Sequence, residues 1–134
     1  MTQVSTWRDL AALRWWLLLG SLLIGTIIFL SLTSQPLNTD AIEFGDKWGH
    51  LLAYGVLMSW FGLLTWRQVQ WRFALGFVVL GVTLEFIQGL TGYRQFDPLD
   101  VAANMLGVML GYGLCATRFR DLLLGLERRL LVGG

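Results

Sequence analysis

The chain has 134 residues, the length of one domain, and is 55% hydrophobic with a mean hydropathy of +0.60. Only 14% of its residues are charged, against roughly 25% in ordinary soluble domains. That deficit and the seven tryptophans point to a membrane protein, and a net charge of +1 gives no reason to expect a nucleic-acid partner. The lone Cys115 excludes an internal disulfide framework and a cysteine-rich metal site, and reads as a small core residue of an apolar helix.

A membrane-spanning helix needs about 20 mostly apolar residues, and four segments approach this. The first, WWLLLGSLLIGTIIFLSLTS over 15–34, carries no charge. Arg8 and Arg14 flank it, but its apolar run is too long for a signal-peptide core and no small-x-small site follows. A retained span is therefore expected. The second covers 48–66 and contains His50; the third, 73–92, contains Glu85 and Gln88; the fourth, 98–117, contains Asp100 and Asn104. Connections of about 13, 6 and 5 residues favour antiparallel neighbours. The segment 118–132, with Leu122, Leu123, Leu126, Leu130 and Leu131 on one face beside Arg128 and Arg129, reads as an amphipathic helix on an anionic leaflet. The expected fold is an all-α integral membrane protein. It has four transmembrane helices in an up-down bundle and a C-terminal cytoplasmic amphipathic helix, forming one domain over 1–134.

Loop cations set the expected orientation. Arg8, Arg14, Arg67, Arg72, Arg118, Arg120, Arg128 and Arg129 share one side, and only Lys47 and Arg94 lie on the other. Both termini are then cytoplasmic, in a bacterial plasma (inner) membrane crossed several times. Trp15, Trp16, Trp66 and Trp71 fall near the inner interface, and Trp48 and Tyr93 near the outer one.

The polar residues within the spans gather in the outer half. Asp46, His50 and Tyr54 are spaced i, i+4, i+8 and line one helical face. Glu85 lies seven residues before Gly92, about 10 Å deep, with Gln88 one turn nearer the surface. Asp97, Asp100, Asn104, Gly107 and Gly111 form a stripe at 3–4 spacing. An ionised carboxylate deep in a bilayer costs at least about 2.5–3.5 kcal/mol, so Glu85 must face inward and be paired, protonated or wet. His50, Lys47 and Arg94 are its candidate partners, and together these residues predict a polar, outward-opening pocket. Plain structural roles compete with this. Asp97 before Pro98 fits an N-cap, Asp46 and Asp100 suit helix starts, and Gly107 with Gly111 suits close helix packing. Tyr54 suits interfacial packing, and His50 with Glu85 suits a buried structural pair.

The segment DKWGHLLAYGVL resembles the D-K-x-x-H-x-x-x-Y block of VanZ-like membrane proteins. The segment LEFIQGLTGYRQFDPLDVAANMLGVMLG resembles their E-x-x-Q, R, D-x-x-D-x-x-x-N-x-x-G-x-x-x-G block. The resemblance covers Asp46 to Gly111 and implies a bacterial cell-envelope context. It marks Asp46, Lys47, His50, Tyr54, Glu85, Gln88, Arg94, Asp97, Asp100 and Asn104 as family-type positions.

Three functions follow as expectations. The first is binding or handling of an anionic lipid head group or lipid-linked envelope precursor. Lys47 and Arg94 supply charge, and Asp46, Tyr54, Gln88, Asp97, Asp100 and Asn104 complete the ligand-binding set. The second is a membrane-embedded hydrolase or transferase acting on such a lipid, with His50 and Glu85 as catalytic acid and base. The third is a structural or assembly role. No cofactor is expected. One histidine with three carboxylates suits a divalent cation, although no metal-ligand spacing is diagnostic. Membrane lipids are the expected partners.

Overall fold

A computed structural model of the chain describes residues 5–34 and 45–131. It is all-helical. The five α-helices are α1 (Leu13–Leu32), α2 (Gly45–Leu64), α3 (Arg67–Leu90), α4 (Pro98–Leu114) and α5 (Leu122–Leu131), with a 3-10 turn over Arg118–Asp121 before the last. Two helices, α1 and α3, are long and apolar enough to cross a membrane. A third is added if α4 and the segment after it, which meet at a 72° bend, are counted together. The first connection, expected over about 13 residues, falls mostly at 35–44, and the end of the expected tail at 132; both lie outside the described residues.

Local chemistry sets the helix ends. Asp97 is the N-cap of α4, its carboxylate accepting the Leu99 N–H at 2.8 Å, and Pro98 follows as the first helical residue. Thr91 closes α3 by donating its N–H to the Gln88 carbonyl at 3.1 Å, and Gly92 then takes a positive φ of 79°, open to glycine without a steric penalty. At its other end α3 starts at Arg67, not near Phe73. No proline or glycine interrupts Arg67–Arg72, and Gln70 is buried, donating to the Gly62 carbonyl at 2.8 Å. That bond satisfies a carbonyl at the C-terminal end of α2 and leaves only Thr65 and Trp66 between the two helices.

α2 and α4 run parallel and touch along their length. Lys47 meets Asp97 and Asp100, His50 meets Asn104, and the Cys115 thiol donates to the Ser59 carbonyl at 3.5 Å. Small residues permit this approach. A methyl group on Gly111 would lie 2.6 Å from the Gly55 carbonyl oxygen and 2.9 Å from Met58 Cβ, so the packing role expected for Gly107 and Gly111 holds. α3 crosses beside this pair, and Ile27, Tyr54, Leu57, Met58, Phe61, Phe77, Leu84 and Val108 fill the core. Phe61 stacks on Phe73 with ring centroids 5.5 Å apart. Leu75, Val79, Phe86, Met109 and Leu110 are exposed, an apolar surface suited to lipid.

The N- and C-terminal segments lock together at the end of the bundle where α1 begins and α2 stops. The Arg8 N–H donates to the Leu64 carbonyl at 2.9 Å. The Arg8 side chain is only 6% exposed, and it donates to the carbonyls of Leu63 and Arg120 and pairs with Asp121 at 2.8 Å. Arg8 is thus a buried tie between chain ends, not a freely solvated surface charge. Glu127 accepts from the N–H groups of Ala11 and Ala12 and from the Trp16 indole at 2.7–3.0 Å. In α5, Leu123 and Glu127 turn inward, whereas Leu122, Leu126 and Leu130 are exposed. The leucine face predicted for this segment is therefore divided between the protein and its surroundings.

Candidate functional site

The polar residues singled out in the sequence collect at the opposite end of the bundle, where α2 and α4 start and α3 stops. Asp46 and Lys47 lie in the first turn of α2, and His50 and Tyr54 follow on the same helix. Glu85 and Gln88 come from the last turns of α3, Arg94 from the loop after it, and Asp97, Asp100 and Asn104 from the cap and first turns of α4.

Lys47 is the hub of one half of this group. Its Nζ lies 2.9 Å from Asp46 Oδ2, 2.7 Å from Asp97 Oδ2 and 2.9 Å from Asp100 Oδ1. The last contact is an ion pair to a buried carboxylate. The Lys47 ammonium beside Asp97, together with the Leu99 N–H, holds that carboxyl below the usual carboxylate range. With three carboxylates around it, the ammonium is fully engaged and does not line the neighbouring cavity.

His50 links the two halves. Its Nδ1 lies 3.1 Å from Asn104 Oδ1, and its Nε2 lies 3.5 Å from Asp100 Oδ2. Glu85 is 2% exposed; its Oε1 accepts the Asp97 N–H at 3.1 Å. Among the described residues, Glu85 Oε2 and the Tyr54 hydroxyl are buried without a hydrogen-bond partner. Ligand atoms of His50, Glu85 and Asp100 lie within 4.8 Å of one another, a grouping of the kind that holds a cation.

A cavity of about 170 Å³ opens beside this cluster. Its lining is mixed, with His50, Tyr54, Gln88, Asp46 and Arg94 the polar members and Ile27, Leu30 and Ala53 among the apolar ones. Arg94 reaches the rim and makes no ion pair among the described residues. Lys47, Glu85, Asp97, Asp100 and Asn104 stand behind this lining.

One wall of the cavity comes from α1, which the sequence did not signal. Gln88 donates to the Ser31 carbonyl at 2.6 Å, and the Tyr93 hydroxyl to the Leu32 carbonyl at 2.7 Å. Both acceptors are carbonyls of the last turn of α1, which have no partner inside their own helix. The bonds are made to backbone, so no residue type in α1 announces them.

The family model described as VanZ/LLP1 matches residues 6–120 of the chain. No curated protein and no solved structure matches it.

Proposed function

From the premise that this chain belongs to the VanZ/LLP1 family, we propose that it binds the anionic head group of a membrane lipid, or of a lipid-linked envelope precursor, in the cavity at Arg94. The observation that carries this reading is the mixed lining, in which Arg94, His50 and Gln88 stand beside Ile27, Leu30 and Ala53. A head group with acyl or prenyl chains has the same mixture of polar and apolar surface. Arg94 is the cation to meet a phosphate or carboxylate, because its guanidinium offers paired donors and makes no ion pair among the described residues. Lys47 acts indirectly by fixing Asp46, Asp97 and Asp100.

In this reading α1 to α4 all cross the membrane. Two meet the length and apolarity of a span unaided. α2, 20 residues long, opens on Asp46, Lys47 and His50 at its polar end, and α4 has 17 residues, about 26 Å of helix. Parallel contact with α2 and the buried stripe of α4 favour counting both with the bundle. The excess of arginines at the far end supports a reading in which the termini are cytoplasmic and the cavity faces the outside of a bacterial plasma membrane.

Arg94→Ala tests the binding reading: an affinity for anionic lipid in nanodiscs that falls about tenfold supports it, and an unchanged affinity for every anionic envelope lipid counts against it. A second reading has one specific observation in its favour. His50 lies near buried polar atoms that have no hydrogen-bond partner among the described residues, Glu85 Oε2 and the Tyr54 hydroxyl, groups of the kind a general acid–base site uses. Incubation with labelled lipids decides it. Product lost in His50→Ala and Glu85→Gln makes the protein a hydrolase or transferase, and no product from any substrate removes that reading.

A further inference from the structure

The carboxylates of this cluster, two of them buried, outnumber their counter-charges. Lys47 serves Asp46, Asp97 and Asp100, and among the described residues Glu85 is left with one backbone N–H on Oε1 and nothing on Oε2. With all four ionised, Lys47 and Arg94 leave two negative charges uncompensated among the described residues, the charge that one divalent cation supplies. Glu85 and Asp100 are 2% and 3% exposed, so water does not offset the deficit.

The histidine points the same way. Asn104 Oδ1 is an acceptor only, so His50 Nδ1 carries the hydrogen that joins them at 3.1 Å. In the neutral ring Nε2 is then a bare lone pair, 3.5 Å from Asp100 Oδ2. Lone pair and carboxylate repel; a cation between them turns the contact into two bonds. Each of the three side chains is also held from behind: Asn104 holds His50, Lys47 holds Asp100, and the Asp97 N–H holds Glu85. Outer contacts of this kind orient metal ligands.

We propose that His50 Nε2, Glu85 Oε2 and Asp100 Oδ2 bind one divalent cation. One imidazole with two carboxylates selects a first-row ion of the Mn2+ or Zn2+ class. Bonds of about 2.0–2.2 Å allow ligand separations up to roughly 4.2 Å, so atoms within 4.8 Å of one another need only small side-chain rotations to close on the ion. His50 also lines the cavity, so a cation held there would be open to an oxygen of a molecule in the cavity. That this oxygen belongs to a lipid phosphate rests on the head-group reading; the cation site itself does not.

The test uses the full chain without a polyhistidine tag, purified in detergent, stripped with EDTA and titrated with Mn2+ under electron paramagnetic resonance. The expected result is one saturable Mn2+ per chain, displaced by Zn2+, with a nitrogen hyperfine coupling from a directly bound imidazole. The chain has a single histidine, so this coupling identifies His50. Glu85→Gln and Asp100→Asn should each weaken binding by about tenfold or more, and Asp121→Asn, beside Arg8 at the other end of the molecule, should not. No saturable binding of Mn2+ or Zn2+, or Mn2+ bound without nitrogen coupling, overturns the site even if the variants fail to fold. Retention of phosphatidic acid is measured in parallel, with Mn2+ and with EDTA. Nitrogen coupling without lipid retention supports the cation site and removes the head-group reading. Lipid retention in EDTA with no coupling does the reverse.

Discussion

At the residue scale Lys47 has changed role. A lysine at the polar end of an apolar helix reads as a charge offered to a ligand, yet its ammonium is enclosed by three carboxylates, one of them the buried Asp100. Removing it strands a buried charge. Lys47→Met should therefore lower stability by on the order of 3 kcal/mol, the lower end for a buried pair that loses one partner. Thermal unfolding followed by tryptophan fluorescence in detergent measures this. Adding Asp100→Asn should recover part of the loss, and a Lys47→Met protein as stable as the parent would show that the cluster is not held by charge. The sequence disclosed the members of this cluster because each ionisable group in apolar surroundings stands out. It did not disclose who pairs with whom, because helix spacing fixes a face and a depth but not the direction of a flexible side chain. Asp97 was the clearest case: an acid before a proline has one favoured geometry, and its cap bond to Leu99 is there.

At the element scale two contacts organise the molecule. The first is the close approach of α2 and α4 at Gly55, Gly107 and Gly111. Gly111→Ala places a methyl group against the Gly55 carbonyl and Met58 and should cost about 1–3 kcal/mol through overpacking. Gly113→Ala, where nothing lies within 4 Å of the added carbon, is the control and should leave the unfolding temperature nearly unchanged. The second contact docks α5 on the N-terminal segment. Burial alone would raise the Glu127 carboxyl, but hydrogen bonds from the Trp16 indole and the Ala12 and Ala11 N–H groups outweigh it and hold the group below its ordinary value of 4.5. A carboxylate depressed in the folded state stabilises above its unfolded value, and that contribution disappears as pH falls through the lower folded one. The unfolding temperature of the parent should thus exceed that of Glu127→Gln by a constant margin near neutral pH. The margin should shrink only once pH drops below 4.5. A margin independent of pH down to acid unfolding would contradict the ion-dependent dock. Periodicity located α5 but not its orientation, because a leucine-rich face serves equally against lipid and against protein. The inward turn of Leu123 depends on Glu127 finding donors more than a hundred residues earlier in the chain.

At the scale of the whole molecule, one end is a tie and the other a site. Arg8, Asp121 and Glu127 bind the terminal segments together, and ten polar residues from α2, α3, the following loop and α4 gather in and behind the lining of a cavity to which α1 adds a wall. The all-helical fold and this polar end were legible in the sequence because apolar length and the cost of intramembrane charge are composition-level signals. The contribution of α1 was not, since it enters through backbone carbonyls and apolar contacts that many sequences provide. The most direct test of the central claim, that this cavity holds an anionic lipid head group, is native mass spectrometry of the protein extracted gently from bacterial membranes. One bound anionic lipid per chain, released in Arg94→Ala while the fold is kept, is the predicted result. A parent protein that carries no anionic lipid, or an adduct unchanged in Arg94→Ala, would contradict it.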